Sequence, residues 1–297
     1  MKTKDLKKLS ATTIKALFGL KPKVLAELLV LILPEMENQR IKRLKEREGR
    51  KRTFIKNDGR PPRVKAVHKV LMCLLYMRHN TSHEVVGRLL GFSADSSENA
   101  FVEVLPILKR LFPNERWEAE KKYSESDEKW NPSKVELVII DSFETYLPRP
   151  SNPARQKRYY SGKKKRHTAK TQILSDQNGE ILSVGKSHRG PKSDIKIYKQ
   201  EGVADSLKEK RKLGDKAYFE KSSEVETPKK KPKGGELSVE DKASNRSLSR
   251  VRVRVEHVIR KVKSWRIVRD EYRMPLGLFS SVTSSVVGLL QFASIVG

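Results

Sequence analysis

Cysteine is almost absent from this chain: Cys73 stands alone among 297 residues. One thiol excludes an internal disulfide framework and a cysteine-based zinc site, and it fits a reducing compartment. Long apolar runs are missing too. Residues 25–33 are apolar, but Glu27 interrupts them and they are too few to span a bilayer. They start too far into the chain, without a small-residue cleavage signature, to read as a signal peptide. Residues 281–296 are apolar yet laced with Ser, Thr and Gln, which reads as a terminal core helix. The expectation is a cytoplasmic protein with no membrane segment. Acid is scarce as well: 36 Asp and Glu face 64 Lys and Arg, for a formal net charge of +28. That excess calls for a polyanion, nucleic acid first and an anionic membrane surface second. Hydrophobic residues at 36% and charged residues at 34% remain within folded composition, and the length allows two domains with cores of their own.

Four segments are expected. Residues 1–62 form a basic, mostly helical N-terminal segment that ends at the break Asp58-Gly59-Arg60-Pro61-Pro62. Residues 63–115 read as three helices, about 64–78, 82–90 and 95–111, the last bent or started late by Pro106. Helix, short turn at Gly91-Phe92-Ser93 and helix is a helix-turn-helix arrangement, so residues 63–115 are expected to be an all-α DNA-binding domain. Its third helix would present Asp95, Ser96, Ser97, Glu98 and Asn99 to the major groove, with Ser96, Ser97 and Asn99 as the DNA contacts. A plain helical bundle is the alternative. Residues 116–133 are polar and read as a linker, with Trp117 and Trp130 tucked against a neighbour.

From residue 134 the pattern changes. Strands are expected at 135–141, 167–174 and 180–187, then a helix at 193–208. A very short strand follows at Leu213-Gly214-Asp215, then a basic loop at 229–235 and a long helix at 238–268 started by Ser238 and Asp241. That order is that of a ribonuclease H-like α/β core, a mixed five-stranded sheet with helices, over residues 134–297.

Against the basic background a few acids are well placed. Asp141 ends the apolar run of the first strand, and Asp215 ends the short fourth one. Functional groups gather at the carboxyl ends of strands in open α/β sheets. Asp194 opens a helix, where it is a metal ligand or simply a cap. Glu256 lies on the long helix, with Ser249, Arg252 and Lys263 on the same face at roughly 100° per residue. The stripe Val251, Val255, Val258 and Val262 faces the core. A basic amphipathic helix with one ion-paired Glu is the alternative. Sparse carboxylates suit Mg²⁺, which takes one or two of them beside phosphate and water. A pair of such cations can clamp the attacking and leaving oxygens of a phosphodiester. Glu144 is a fifth acid nearby, and His188 reads as a polar surface residue. The stretch 155–167 interleaves cations with aromatics. Lys157, Arg158, Tyr159, Tyr160, Lys163, Lys164, Lys165 and Arg166 are candidate DNA contacts, offering charge for phosphates and rings for stacking.

The segments Val138-Ile139-Ile140-Asp141-Ser142-Phe143-Glu144, 157–168, 187–199, Leu213-Gly214-Asp215-Lys216-Ala217-Tyr218, 228–232 and 250–262 together resemble bacterial insertion-sequence transposases of the DDE superfamily, in the Harbinger-related branch. The resemblance covers nearly the whole chain. It implies a catalytic triad of Asp141, Asp215 and Glu256, with Asp194 as a fourth metal ligand, and Mg²⁺ or Mn²⁺ as cofactor in a pair of ions. Arg252 and Lys263 fit the family's signature around the catalytic Glu as DNA contacts, while Ser249 stands where a Tyr is usual. The implied reaction is cutting and joining of double-stranded DNA at terminal inverted repeats, by a homo-oligomer on DNA, with no small-molecule substrate and no membrane. A non-catalytic DNA-binding descendant and a general nuclease are the rivals.

Overall fold

The computed structural model describes residues 8–46, 62–125, 130–220 and 224–297. Most of the expected break at 58–62 lies outside them. The N-terminal half is helical. α1 (Ala11–Phe18) is capped by Ser10 and ends at Gly19, whose φ is +78°. A Cβ at Gly19 would stand 2.8 Å from the Trp265 ring, so left-handed backbone and close approach both require glycine there. α2 (Pro22–Lys45) starts with Pro at its first turn and buries Val24, Leu25, Leu28, Ile32 and Met36 on one stripe. α3 (Ala66–His79) is central, with every residue from Val70 to Met77 buried. α4 (His83–Leu90) and α5 (Ala94–Leu111) are capped by Ser82 and Ser93 and joined through Gly91 in a left-handed turn. α5 continues past Pro106 and begins well before it, so it does not start late.

The expected linker is partly structured. Its residues 116–123 form α6 (Arg116–Tyr123). This helix has little apolar content, but it buries Ala119 and a polar pair, Arg116 with Glu120. Arg116 also donates to Ser294 Oγ at 2.6 Å, which docks α6 on the last helix. Trp117 and Trp130 pack against a hydrophobic cluster of the sheet, as expected.

The sheet is mixed and six-stranded, one more than expected. β1 (Leu137–Tyr146), β3 (Arg166–Ser175) and β4 (Ile181–Arg189) are antiparallel neighbours, with β3 in the middle. β5 (Arg211–Leu213) runs parallel to β1, and β6 (Val225–Glu226) runs parallel to β5. The two-residue β2 (Tyr160–Ser161) pairs with the start of β3. Between β1 and β2 lies α7 (Pro153–Tyr159). α8 (Asp194–Glu201) follows β4 and stops at Gly202, φ +64°, short of the expected end at 208. α9 (Val239–Lys263) is capped by Ser238 and ends at Ser264. The extended backbone of Trp265 buries its ring and separates α9 from the short α10 (Arg266–Arg269), where one continuous helix was expected.

One hydrophobic cluster runs from Phe18 and Val70 through Ile139 and Phe143 to Val258 and Phe279, so helical half and sheet share a core. α11 (Phe279–Val296) sits at the junction. Its segment Leu276–Val296 is long and apolar enough to cross a bilayer. Here it packs on α5, α6 and β4, and buried Gln291 donates to the Ile181 carbonyl at 2.8 Å.

Candidate active site

β1 does not stop at Asp141. It continues through Ser142-Phe143-Glu144-Thr145-Tyr146, because Phe143 and Thr145 alternate into the core and the ladder to β3 runs on to Tyr146 opposite Thr168. The parallel pairing with β5, however, ends at Ile139 opposite Leu213. Asp141 and Asp215 each lie two residues beyond that last pair. Two parallel strands in register therefore deliver two carboxylates to the same level.

Asp141 is mostly buried. Its Oδ1 accepts from the Ser142 amide at 2.7 Å, and Arg252 of α9 approaches its other oxygen at 3.8 Å. Burial pushes its carboxyl up to about 6; the Ser142 amide and Arg252 oppose the rise, and the charges of Asp215 and Asp194 add to it. Asp215 also caps the turn Lys216–Tyr218, accepting from the Ala217 amide at 2.8 Å. Asp194 is not the cap of α8. That place belongs to Ser193, and Asp194 is the first helical residue. The Ser142 hydroxyl donates to Asp194, and the ammonium of buried Lys170 stands 3.3 Å from it while also donating to the Lys192 carbonyl at 2.9 Å. Tyr218 lies buried beside Ser142, its phenol held protonated by burial and by the charges of Asp194, Asp141 and Asp215.

Glu256 is exposed on α9. It shares a face with Arg252, one turn before it, and Lys263, two turns after it, and both of these reach β1. Lys263 lies over the Phe143 ring at 5.5 Å and approaches the Glu144 carbonyl at 3.4 Å. Burial lowers its ammonium pKa, and the nearby charge of Lys164 lowers it further. Among the described residues, no three His, Cys, Asp or Glu side chains stand close enough to hold one ion as placed. The donor set is nevertheless of the right kind. Asp141, Asp194 and Asp215 are hard oxygen donors whose mutual repulsion is only partly offset by Arg252 and Lys170, and a divalent cation would relieve it.

Several expected DNA contacts are differently placed. Ser97 is fully buried, with its hydroxyl 3.0 Å from His83 Nδ1, so it cannot touch a base. Ser96 hydrogen-bonds the capping Ser93 hydroxyl at 3.0 Å. Asn99 is exposed, between the exposed acids Asp95 and Glu98 on one side and Val102 on the other. Lys157, Arg158 and Tyr159 lie on α7 rather than in a loop, with Tyr159 half-buried against the core and Tyr160 exposed. Lys163, Lys164 and Lys165 are exposed at the tip of the β2–β3 hairpin. Arg166 is exposed but already engaged, pairing with Glu271 at 3.0 Å and covering the Tyr146 ring. His188 is not a surface residue; it is mostly buried and bonds Glu201 at 2.6 Å. Lys170, Ser142 and Tyr218 were not anticipated in this site. A lysine inside an otherwise buried strand was the available signal for the first.

Comparison with known proteins gives the chain a family. Residues 140–288 match a family described as DDE superfamily endonuclease. A protein of Microchaete diplosiphon, named as the probable transposase for insertion sequence element IS702, is 32% identical over 248 residues, covering 80% of this chain and 84% of its own. A protein of Streptomyces albus G, named for a transposase of insertion sequence element IS112, is 23% identical over 215 residues, covering 71% and 74%. No solved structure matches. By the matched span of residues 140–288 and by its 32% identity over 80% of the chain to an insertion-sequence transposase, the chain belongs to the DDE superfamily endonucleases.

Proposed function

We propose that this chain is a transposase that cuts and joins DNA at the terminal inverted repeats of its own mobile element by metal-dependent phosphoryl transfer. The observation that carries the reading is the in-register delivery of Asp141 and Asp215 past the β1–β5 pair, with Asp194 close enough to perturb the same carboxyl. The strand order β4-β3-β1-β5-β6, antiparallel on one side of β1 and parallel on the other, supports a ribonuclease H-like catalytic core. The capped pair α4–α5 with its Gly91 turn supports a helix-turn-helix element for end recognition.

Asp141, Asp215 and Glu256 are the proposed catalytic carboxylates and, with Asp194, would hold Mg²⁺ or Mn²⁺, most simply as two ions. Such ions, when bound, supply Lewis-acid stabilisation of the attacking and leaving oxygens. The chain's own groups do the rest. Lys170 and the Ser142 hydroxyl fix the orientation of Asp194. Arg252 and Lys263, on either side of Glu256, place positive charge where a phosphate would lie. Two element ends must meet for joining, so a homo-oligomer on DNA is part of the proposal.

The test is cleavage of a duplex carrying the element's end with Mg²⁺ supplied. Asp141→Asn, Asp215→Asn and Glu256→Gln are each expected to abolish nicking while DNA binding persists. Full activity in any one of them removes that residue from the set. A second reading has one observation in its favour: Arg252 and Lys170 already engage Asp141 and Asp194. On that reading the chain binds the repeats without cutting, and wild-type protein that binds but never nicks would establish it.

A further inference from the structure

Two of the cavities beside α7 are left unexplained by the cleavage chemistry. The first, of about 590 Å³, lies between α7, the end of β4 and the start of α8. Five cations line it, Lys157, Arg158, Arg189, Lys192 and Lys196, and no carboxylate does. Some exposed cations elsewhere face acids: Arg211 pairs with Glu226, Lys199 with Glu220 and Lys229 with Asp241. Lys157, Arg158, Arg189 and Lys196 have no such partner among the described residues, although they share one void. Uncompensated like charge around a cavity attracts a polyanion. The cavity adjoins the carboxylate centre: Ser193 lines it, and Lys170 links the Lys192 carbonyl to Asp194.

The second cavity, of about 450 Å³, adjoins the first along α7 and is lined by Arg149, Gln156, Lys157, Tyr160 and His167. Tyr160 is 45% exposed, yet it is held in place by the β2–β3 pairing opposite His167, with ring centroids 5.7 Å apart. Arg149 is set by a 3.1 Å bond to Gln156. An exposed, fixed aromatic ring among cations offers a stacking surface for a nucleobase. Lys157 belongs to both cavities, so a strand can pass from one to the other around a single helix.

We propose that α7 holds an unpaired DNA strand: the first cavity takes its phosphodiester backbone beside the carboxylate centre, and the second takes one of its bases, stacked on Tyr160. In a duplex the bases are paired and stacked inside, out of reach of this pocket, so the preferred substrate is single-stranded or frayed next to the cut. The proposal rests on the reading of this chain as a DNA-cleaving enzyme.

The experiment uses the full chain and two fluorescent probes, an oligothymidine single strand and a blunt duplex of mixed sequence, titrated over a series of salt concentrations. Tyr160→Ala is expected to weaken single-strand binding roughly tenfold and leave duplex binding within about twofold, with Tyr160→Phe restoring it. Arg189→Ala combined with Lys196→Ala is expected to reduce the salt slope for the single strand by about 1.4. Unchanged single-strand affinity in Tyr160→Ala, an equal loss on both probes, or an unchanged salt slope in the double variant overturns the proposal. Wild-type protein that binds neither probe refutes the DNA reading beneath it, which is a different failure.

Discussion

Replacing Asp141 by Asn should make the protein more stable while removing its activity. The carboxyl is raised to about 6 in the folded chain, chiefly by burial. Unfolded, it would titrate near its ordinary value of about 3.9. The folded state therefore binds the proton more tightly, and the sign follows from linkage: stability is unaffected below both values, falls as pH rises between them, and stays reduced above the upper one. A gap of about two pH units corresponds to roughly 3 kcal/mol at neutral pH. Asn keeps an oxygen for the Ser142 amide and carries no charge, so it removes the repulsion from Asp194 and Asp215. Weakened contact with Arg252, long at 3.8 Å, is already contained in the net shift. A gain of about 2–3 kcal/mol would raise the melting temperature by roughly 3–5 °C in a chain of this size. Thermal or urea denaturation of both proteins, at about pH 7.5 and about pH 4.5, measures the effect. The gain should be present at the higher pH and shrink at the lower. A variant no more stable than wild type at neutral pH, or a gain independent of pH, refutes the claim that this site stores electrostatic strain.

The same strain predicts a metal effect that needs no turnover: Mg²⁺ at about a hundred times its dissociation constant should stabilise the wild-type protein by about 2.7 kcal/mol, read as a melting shift. Asp141→Asn should lose most of that gain, and an equal shift in both proteins would place the ion elsewhere. In the core, Gly288→Ala would set a Cβ 2.1 Å from the Phe112 carbonyl oxygen, which is backbone and cannot yield easily. It should cost about 1–3 kcal/mol in a denaturant titration, and a neutral result would mean that α11 does not press on the end of α5 as described.

The elements legible in the sequence were those with a period. The β-branched run before Asp141 marks a strand, the turn at 175–179 marks the hairpin of β3 and β4, and caps such as Ser238 mark helix starts. Acids following apolar runs pointed to Asp141 and Asp215. Their common level depends on the parallel register of β1 with β5, and a three-residue strand carries no signal of its partner. β2 and β6, at two residues each, carry no period at all. α6 read as a linker because its burial comes from Arg116 paired with Glu120 rather than from apolar residues. Ser97 was within reach of sequence reasoning. It lies on the stripe continued by Ala100, Phe101, Val104 and Leu108, all buried, so helical period alone assigns it to the core.

Net charge was the clearest feature of the composition and the least informative about position. A sum over the chain does not distinguish a lysine facing an acid from one facing only other lysines. The distinction comes from tertiary pairing, because most acids outside the carboxylate centre are engaged by nearby cations, such as Glu226 by Arg211 and Glu103 by Lys69. Unpaired cations gather, among other places, where acids are lacking around α7 and at the tip of the β2–β3 hairpin, on the side that leads to Asp194. The start of α5 shows the opposite balance, with Asp95 and Glu98 exposed where a groove-reading helix would need cations. The start of α5 therefore adds little long-range attraction to DNA, while the α7 face adds much. If α4–α5 reads the element ends as proposed, it would rely on Asn99 and on contacts that bring no large electrostatic gain, so its affinity would depend weakly on salt where that of the α7 face is steep.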